Sequence, residues 1–435
     1  MMPLLILMFL MAGISVSINY FLFLIPFVQE TIIFGLQYLR LPLREPVFRL
    51  SIDSGLAAKD LFTIPSPLSR SLEPCCDSDN VLSCVDVEVD PEALLNEDDI
   101  SINGVDLVFS NFIPPHARTY KTEMGDEAII SYNPKTGSIT GTLHTEDGRG
   151  FALEKCGDSY IFEEFDEDNF PGDEVEDEDD ADDRVFDDNI NINATENMRQ
   201  GQKTYSIMFY YTPEFAAVTP DIEDFIDQAM ATLNQGYANS KIPITATKFC
   251  SELSTISEEE VAHDKKLGAF KKSKGHSTAG NDALRNTADV AVLLVKSYNM
   301  CGTAYQHSAL NQRRPFSVVR KSCALGGYTL GHEIGHNFGC AHDIKKSYNK
   351  KYPFGHGYQI LEPGTTDRGY LSIMSYGKGI KKAKKVNYYS NPDVILPNTG
   401  TPTGLEGVAN NAAVFMKSID KIAALGDESG SCSSS

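Results

Sequence analysis

Apolar and polar residues follow two different rhythms along the chain, and the first is a period of two. Between residues 100 and 162 short apolar runs alternate with polar positions, as in Val105–Phe109 and Ala128–Tyr132. Turn sequences separate such runs at Asn133–Gly137 and Glu146–Gly148. Alternation at period two, interrupted by turns, is typical of β-strands. This region is therefore predicted to be β-rich.

From residue 200 onward, predicted strands alternate with predicted helices. Tyr205–Pro213 opens this part as a strand, and Asp289–Val295 is an unbroken apolar run of the kind found in strands buried on both faces. After Thr219 and Pro220 the apolar residues recur every three or four positions, which indicates an amphipathic helix. This order predicts an α/β fold, with a twisted mixed sheet packed on helices.

Charge divides the two regions. The stretch Glu163–Asp188 holds 16 acidic residues and one Arg, a composition that cannot collapse into a core. The net charge of the chain is −22. Residues 200–435 carry a net charge of about +5, so residues 1–199 carry about −27. We therefore divide the chain into 1–29, 30–162, an acidic disordered linker at 163–199, and a domain at 200–430. Acidity of this kind argues against nucleic-acid binding.

Residues 1–29 contain no charged residue, and the first charge in the chain is Glu30. Met1–Ser17 has the short apolar core and small final residues of a signal peptide. The apolar run continues to Val28, so a membrane-anchoring helix is the alternative. We expect a secreted protein, or one anchored through residues 1–29. The nine cysteines fit an oxidising compartment, and their odd number leaves at least one thiol free or paired to another chain.

The strongest chemical signal begins at His332. His332 and His336 lie one helical turn apart and can bind the same metal ion. Gly339 can end the helix in a left-handed conformation, which lets His342 return as a third ligand. Three histidines leave one tetrahedral position open, as in a catalytic zinc site. Glu333 can then take a proton from a zinc-activated water and pass it to the leaving amine.

This string resembles the zinc signature of the metzincin peptidases, His-Glu-x-x-His-x-x-Gly-x-x-His. Met374, 32 residues after His342, lies in Ser372–Tyr376, which resembles the Met-turn beneath the zinc-binding histidines. Tyr376 matches the position of a zinc-side tyrosine in astacin-like metzincins. The resemblance implies that Tyr376 ligates the metal or bonds the tetrahedral intermediate, and a buried structural tyrosine is the alternative.

Further segments, among them Cys301–Tyr305, Ser317–Val319 and Tyr389–Val394, resemble the reprolysin-like branch, and within it the peptidyl-Asp metalloendopeptidase type. The resemblance implies a metzincin catalytic domain at 200–430 with a C-terminal helix, preceded by a β-rich propeptide at 30–162. Extended substrates would pair with an edge strand, and the segment after the Met-turn would line the pocket for the residue that follows the scissile bond. The expected cleft residues are Gly302, Thr303, Ala304, Ser390, Asn391 and Pro392. Cys301 and Cys323 bracket the hairpin after the edge strand, and we expect them to form a disulfide.

Nine lysines between Lys345 and Lys385 follow the motif. They predict either a solvated basic face or a rim that attracts acidic protein or peptide substrates. His356 lies between two glycines in the same stretch. As a fourth ligand it would block the open position, so it is predicted to be a loop histidine.

Latency is predicted from Cys156. Glu154–Gly157 resembles the cysteine switch of reprolysin propeptides, in which a thiolate occupies the open zinc position. The alternative is a disulfide from Cys156 to Cys75, Cys76 or Cys84. In either case the propeptide is expected to act as the inhibitor of its own enzyme.

The sequence thus predicts a secreted zinc metalloendopeptidase made as a latent precursor, and it gives no indication for or against calcium. One alternative is a membrane-anchored sheddase that keeps residues 1–29. Another is a catalytically silent binding protein on the same fold, which a changed Glu333 or a lost histidine would have indicated.

Overall fold

The structure is a computed structural model of the 435-residue chain. It describes residues 59–60, 62–63, 75, 81–90, 97–122, 125–165, 170, 174–176, 201–273, 288–306, 315–345, 349, 351–366, 368–376, 380, 382–397 and 399–426. The predicted signal or anchor segment at 1–29 lies outside the described residues, as does most of the predicted linker. No helix in these described ranges combines the length and apolar character needed to cross a membrane.

The N-terminal part forms one sheet, as its period of two predicted. Its strands are β1 (Lys59–Asp60), β2 (Phe62–Thr63), β3 (Val81–Val89), β4 (Asp99–Ile102), β5 (Val105–Ile113), β6 (Ala117–Lys121), β7 (Glu127–Tyr132), β8 (Ile139–His144), β9 (Gly150–Cys156) and β10 (Ser159–Phe165). They lie in the order β1-β4-β5-β6-β7-β8-β9-β10-β3-β2. Leu107, Tyr120 and Phe151 belong to a separate apolar core on this sheet.

The predicted boundary at residue 163 is wrong, because β10 continues to Phe165. Glu163 pairs with Ala152 of β9 and with Cys84 of β3, and its side chain is buried. A second part of the acidic run is also ordered, since Glu174–Glu176 forms strand β11. Backbone pairing with neighbouring strands overrides the local charge in both places.

The C-terminal part is built on a six-stranded sheet. Besides β11, its strands are β12 (Lys203–Tyr211), β13 (Ile244–Leu253), β14 (Val290–Val295), β15 (Gly302–Tyr305) and β16 (Phe316–Arg320). The order is β11-β15-β16-β14-β12-β13. Neighbouring strands are parallel except for the pair β15 and β16, which is antiparallel. Every residue of β14 is buried, as its unbroken apolar run predicted.

Helices cover this sheet. They are α1 (Pro213–Ala217), α2 (Ile222–Asn239), α3 (Lys266–Ser273), α4 (Lys321–Gly326), α5 (Thr329–Phe338) and α6 (Asn411–Ile422), with a 3₁₀ turn at His263–Lys265. A small sheet of β17 (Gln359–Leu361), β18 (Arg368–Leu371) and β19 (Lys382–Lys385) lies between α5 and α6 in sequence.

Helix α2 lies between the two large sheets. Phe225, Ile226 and Leu233 pack into the core of the C-terminal part. On other positions of the helix Gln228 and Gln235 are also buried, and they bond to strands of the N-terminal sheet. A helix that the sequence predicted to be amphipathic therefore has its polar face buried as well.

Candidate metal centre and catalytic site

Helix α5 holds the first two histidines of the motif. His332 and His336 are fully buried, and their Nε2 atoms lie 3.0 Å apart. Their spacing of four residues puts both rings on one face of the helix. The helix begins after Tyr328, which has a left-handed backbone (φ 55°), and it ends at Gly339 (φ 109°). Gly339 thus ends the helix as predicted, because a residue without Cβ adopts this conformation freely.

The turn at Gly339 brings back the third histidine. The Nε2 atom of His342 lies 3.1 Å from that of His332 and 3.0 Å from that of His336. The three side chains form a buried group that can hold a metal ion. The structure therefore brings together the three residues that the spacing singled out.

Hydrogen bonds to the backbone set which nitrogen of each ring carries the proton. Nδ1 of His332 lies 2.8 Å from the carbonyl oxygen of Ile373, and Nδ1 of His336 lies 2.9 Å from that of Cys340. A carbonyl oxygen only accepts, so each Nδ1 donates and each Nε2 carries a lone pair. Converging lone pairs cannot bond one another, but a cation can share them. The donor set therefore fits zinc, which binds neutral imidazole nitrogens.

The electrostatics favour the same state. Burial, aided by the neighbouring imidazoles of His336 and His342 and by the charge of Lys385, holds the pKa of His332 well below its usual value. A low pKa keeps the ring neutral, which is the form that ligates a metal.

Glu333 faces strand β15. A Cβ built on Gly302 would lie 2.5 Å from Oε1 of Glu333 and 2.8 Å from its Cδ. Only glycine leaves room for the carboxylate at this position of the strand. Glu333 is fully buried on the same helix as His332 and His336. A carboxylate, a pair of imidazoles and a strand of the sheet thus meet at one place.

Met374 packs beneath the helix. Its Sδ lies where a side chain on Gly335 would have to go, and Met374 is fully buried. The adjacent residue Ile373 supplies the carbonyl that accepts from His332. This segment therefore both fills the space under α5 and orients one of its histidines.

Tyr376 and Asp343 both lie beside the third histidine. The ring of Tyr376 stands edge-on to His342 with centroids 4.5 Å apart, and its centroid lies 5.8 Å from that of His332. The backbone N–H of Tyr376 donates to Oδ2 of Asp343 at 3.1 Å. The Asp after the third histidine thus ties that loop to the segment that follows Met374.

Comparison with known proteins agrees with this geometry. The profile of Metallo-peptidase family M12 (Reprolysin_5) matches residues 201–390. A peptidyl-Asp metalloendopeptidase of Stenotrophomonas maltophilia (strain K279a) is 31% identical over 297 residues, covering 66% of this chain and 68% of that protein. The chain belongs to metallo-peptidase family M12. It is a metzincin-type zinc metalloendopeptidase, as the motif predicted.

Other similarities to the M12 peptidase are weaker. A peptidyl-Asp metalloendopeptidase from Stenotrophomonas maltophilia (strain R551-3) is 28% identical over 303 residues, covering 69% of this chain and 70% of that protein. Among solved structures, a chain from a structure of a chaperone-substrate complex matches with a TM-score of 0.39 and 18% identity. That match covers 51% of this chain and 35% of the other, and we draw no conclusion from it.

The predicted edge strand of the M12 peptidase is β15, and it contains Gly302, Thr303 and Ala304, all buried. It is not the edge of the sheet, because β11 pairs with it in parallel, with Glu174 opposite Thr303 and Val175 opposite Ala304. A disulfide joins Cys301, just before β15, to Cys323 in α4.

Of the two alternatives predicted for Cys156, a cysteine switch and a disulfide, the structure has the disulfide. Cys156 ends β9 and forms a disulfide with Cys75. A sulfur bonded to another sulfur has no thiolate to offer a metal ion. Cys340 is the free thiol among the described cysteines, and it is buried.

Two of the three residues predicted to line the pocket for the residue after the scissile bond form hydrogen bonds to the backbone. Ser390 is buried and its Oγ donates to the carbonyl of His356 at 2.7 Å. Asn391 is buried and its Nδ2 donates to the carbonyl of Ser240 at 2.8 Å. Pro392 is half-buried. The polar groups of Ser390 and Asn391 thus hold the chain in place.

Proposed function

We propose that the M12 peptidase cuts peptide bonds with zinc bound by His332, His336 and His342 and with Glu333 as general base and acid. The observation that carries the proposal is the convergence of three Nε2 atoms within 3.0–3.1 Å of one another. A zinc ion in this site would polarise the scissile carbonyl and lower the pKa of a water molecule.

The residues of the chain supply the remaining chemistry. Glu333 accepts a proton from the attacking water and returns it to the leaving amine. Glu333 is buried against Gly302, so its carboxylate is shielded from bulk water and held close to β15. Both features support this role. The backbone of β15 offers main-chain hydrogen bonds to an extended peptide. Met374 supports α5, and the contacts of Tyr376 with His342 support a role on the metal side of the site.

Acidic peptides are the substrates that we propose. Two relatives are named for cleavage at Asp, and they are 31% and 28% identical to this chain. Lys384 and Lys385 are half-buried on β19, and the charge of Lys385 acts on His332. Lys378 and Lys381 of the predicted basic rim lie outside the described residues. A cation near the ligand cluster would favour a carboxylate beside the scissile bond.

Cleavage of matched peptides tests this function. Peptides with Asp or Glu after the scissile bond should be cut faster than the same peptides with Asn or Gln. The advantage should shrink as the ionic strength rises past about 0.1 M, where the screening length is about 10 Å. Removal of the metal by a chelator should abolish all cleavage. A preference for large apolar residues at that position would contradict the proposed substrate class.

We further propose that the protein is made as a latent precursor whose N-terminal part is a propeptide. Pairing of β11 with β15 supports this, because it occupies the backbone groups that an extended substrate would use. Since Cys156 is bonded to Cys75, the proposed inhibition rests on the strand and not on a thiolate.

The proposed location is extracellular, reached by the secretory route. The disulfides Cys75–Cys156 and Cys301–Cys323 support it, because such bonds persist in oxidising compartments. A membrane-anchored sheddase is the variant in which residues 1–29 are retained. Sequencing the N-terminus of the mature protein distinguishes the two.

A further inference from the structure

His356 is tied to the third histidine of the motif. Its Nδ1 lies 2.8 Å from the carbonyl oxygen of His342, and His356 is fully buried. Ala341, just before His342, forms a β-bridge with His356. In that bridge the N–H of Ala341 donates to Gly355 at 2.8 Å, and the N–H of Gly357 donates to Ala341 at 2.9 Å. Three hydrogen bonds thus fix two consecutive residues of the ligand loop.

The stretch from Gly355 to Gly357 also packs against the segment of Met374, which lies beneath the histidines. A Cβ on Gly357 would lie 2.5 Å from the carbonyl carbon and oxygen of Met374 and 2.7 Å from the nitrogen of Ser375. Backbone therefore packs on backbone here, and no side chain fits between. Gly355–Gly357, which we name the brace, is wedged between the loop of His342 and the segment of Met374.

Other parts of the fold hold the brace from behind. Ser390 donates to the carbonyl of His356 at 2.7 Å, and Asn411 Nδ2 donates to the carbonyl of Gly355 at 3.0 Å. A Cβ on Gly355 would come within 2.7 Å of Val414 in α6. The brace is therefore connected to the C-terminal helix and cannot shift independently of it.

We propose that His356 is a positioning residue, which fixes the backbone of His342 and so sets how tightly the third ligand holds the metal. This inference rests on the proposed function, because it takes His342 to be a ligand. His356 is itself not part of the group that converges on the metal position. The two other histidines sit on a helix, whose own backbone bonds fix them, whereas His342 lies in a loop and depends on an external support.

The chemistry explains why a histidine stands here. The carbonyl of His342 only accepts, so Nδ1 of His356 must donate to it. The neutral ring therefore carries its single proton on Nδ1. Asn has an N–H at nearly the same distance from the backbone as Nδ1, whereas Phe keeps the ring and lacks the donor. These two substitutions separate the hydrogen bond from the filling of space.

The test compares H356N and H356F in the full chain. Zinc retention is measured by competition with a chromophoric chelator, and the ligand geometry by the visible spectrum of the Co²⁺-substituted protein. We expect H356F to weaken zinc binding by about 10–100-fold, the usual effect of losing an outer partner of a metal ligand, and to alter the cobalt spectrum. H356N should stay within a few-fold of the wild type. The melting temperatures of the metal-free proteins serve to separate positioning from general destabilisation.

Three outcomes would overturn the proposal. They are wild-type zinc retention in H356F, equal loss in H356N and H356F, and a loss fully matched by melting of the metal-free protein. If H356F does not fold, H356A takes its place, and normal zinc retention in folded H356A would count against the brace. H342A distinguishes the two levels of the argument. If H342A keeps zinc, the proposed ligand set is wrong. If H342A loses zinc but H356F keeps it, only the proposed role of the brace is wrong.

Discussion

Glu333 and Gly302 illustrate at the scale of single residues how the site depends on a missing side chain. The carboxylate fits against β15 only because position 302 has no Cβ. The motif reveals Glu333 by its spacing from the histidines, but nothing in the sequence indicates that Gly302 faces it. That pairing comes from the packing of α5 on the sheet.

The role of Glu333 gives the first residue-scale prediction. Glu333→Gln keeps the volume and removes the basic oxygen, so proteolysis should fall by roughly 10²-fold or more, the scale of lost acid–base catalysis. Bound zinc, measured by metal analysis, and the melting curve should stay unchanged, since Glu333 is not one of the converging ligands. His336→Ala is the matched control and should lose metal and activity together. Substantial turnover by folded Glu333→Gln would remove Glu333 from the mechanism.

Residues that local spacing controls could be predicted, and residues that tertiary contacts control could not. His332 and His336 follow from the helical period, and the turn at Gly339 follows from its conformational freedom. The sequence leaves Cys156 open between a switch and a disulfide, because its partner Cys75 lies 81 residues away and is brought near by the sheet. His356 was taken for an ordinary loop histidine because its bond to the backbone of His342 leaves no trace in the sequence.

At the scale of elements, the most consequential contact is the pairing of β11 with β15. The acidic composition of residues 163–199 predicted disorder, and charge of that density normally prevents a core. Pairing with a strand requires only backbone groups, so the charge of Glu174–Glu176 does not prevent these residues from joining the sheet. Strand β14, in contrast, was predictable because its apolar run reflects burial on both faces.

A proline scan of β11 tests its role in latency. Pro has no N–H, and in a parallel ladder alternate residues carry the hydrogen bonds to one partner. We therefore expect Glu174→Pro and Glu176→Pro to behave alike and Val175→Pro to behave differently. The substitutions that remove ladder bonds should give an uncleaved precursor with measurable peptidase activity, read with a quenched fluorescent peptide. Ala181→Pro, outside the strand, is the control.

The difference between Val175→Pro and the two flanking substitutions is the diagnostic result. If all three prolines leave the precursor as inert as the wild type and as Ala181→Pro, the strand does not block the site. Equal activation by Ala181→Pro would instead point to a general effect of proline on the linker.

At the scale of the whole molecule, the two sheets meet through α2 and α4, and both apolar and polar side chains take part. Ile113, Ala117 and Ile129 of the N-terminal sheet pack with Ala231 of α2. Ser131 donates to Gln228 at 2.7 Å, and Gln228 donates in turn to the carbonyl of Ile129 at 2.8 Å. Thr119 donates to Gln235 at 3.1 Å.

One charged cluster lies buried in this contact. Lys321 of α4 forms an ion pair of 2.9 Å with Glu154 of β9, and both side chains are at most 10% exposed. Glu163 of β10 lies close enough for Lys321 and Glu154 to act on it electrostatically, and its register partner on β3 is Cys84, a disulfide-bonded residue. Lys321 also lies 5.7 Å from the ring of Phe225 in α2. One lysine thus faces two carboxylates in a place that water does not reach.

The cluster predicts how the stability of the precursor depends on pH. Burial, opposed by Lys321 and aided by Glu154, raises the pKa of Glu163 from 4.5 to about 7. The folded protein therefore holds a proton that the unfolded chain releases above pH 4.5. The contribution of this proton to stability is complete below about pH 4.5, declines as pH rises, and is lost above about pH 7.

Glu163→Gln isolates this effect, because it keeps the shape of the protonated side chain at every pH. The free energy of unfolding of wild type and Glu163→Gln precursors, measured by denaturant titration, should agree near pH 4.5. The variant should gain on the wild type up to about pH 7.5, by about 3 kcal/mol. Because the cluster joins β9 and β10 to α4, the wild-type precursor should also be more easily cut by an added protease at the upper end of this range. A difference between the two proteins that stays constant with pH would mean that Glu163 does not hold a proton in the folded state, and the contact of the two sheets would then be insensitive to pH through this cluster.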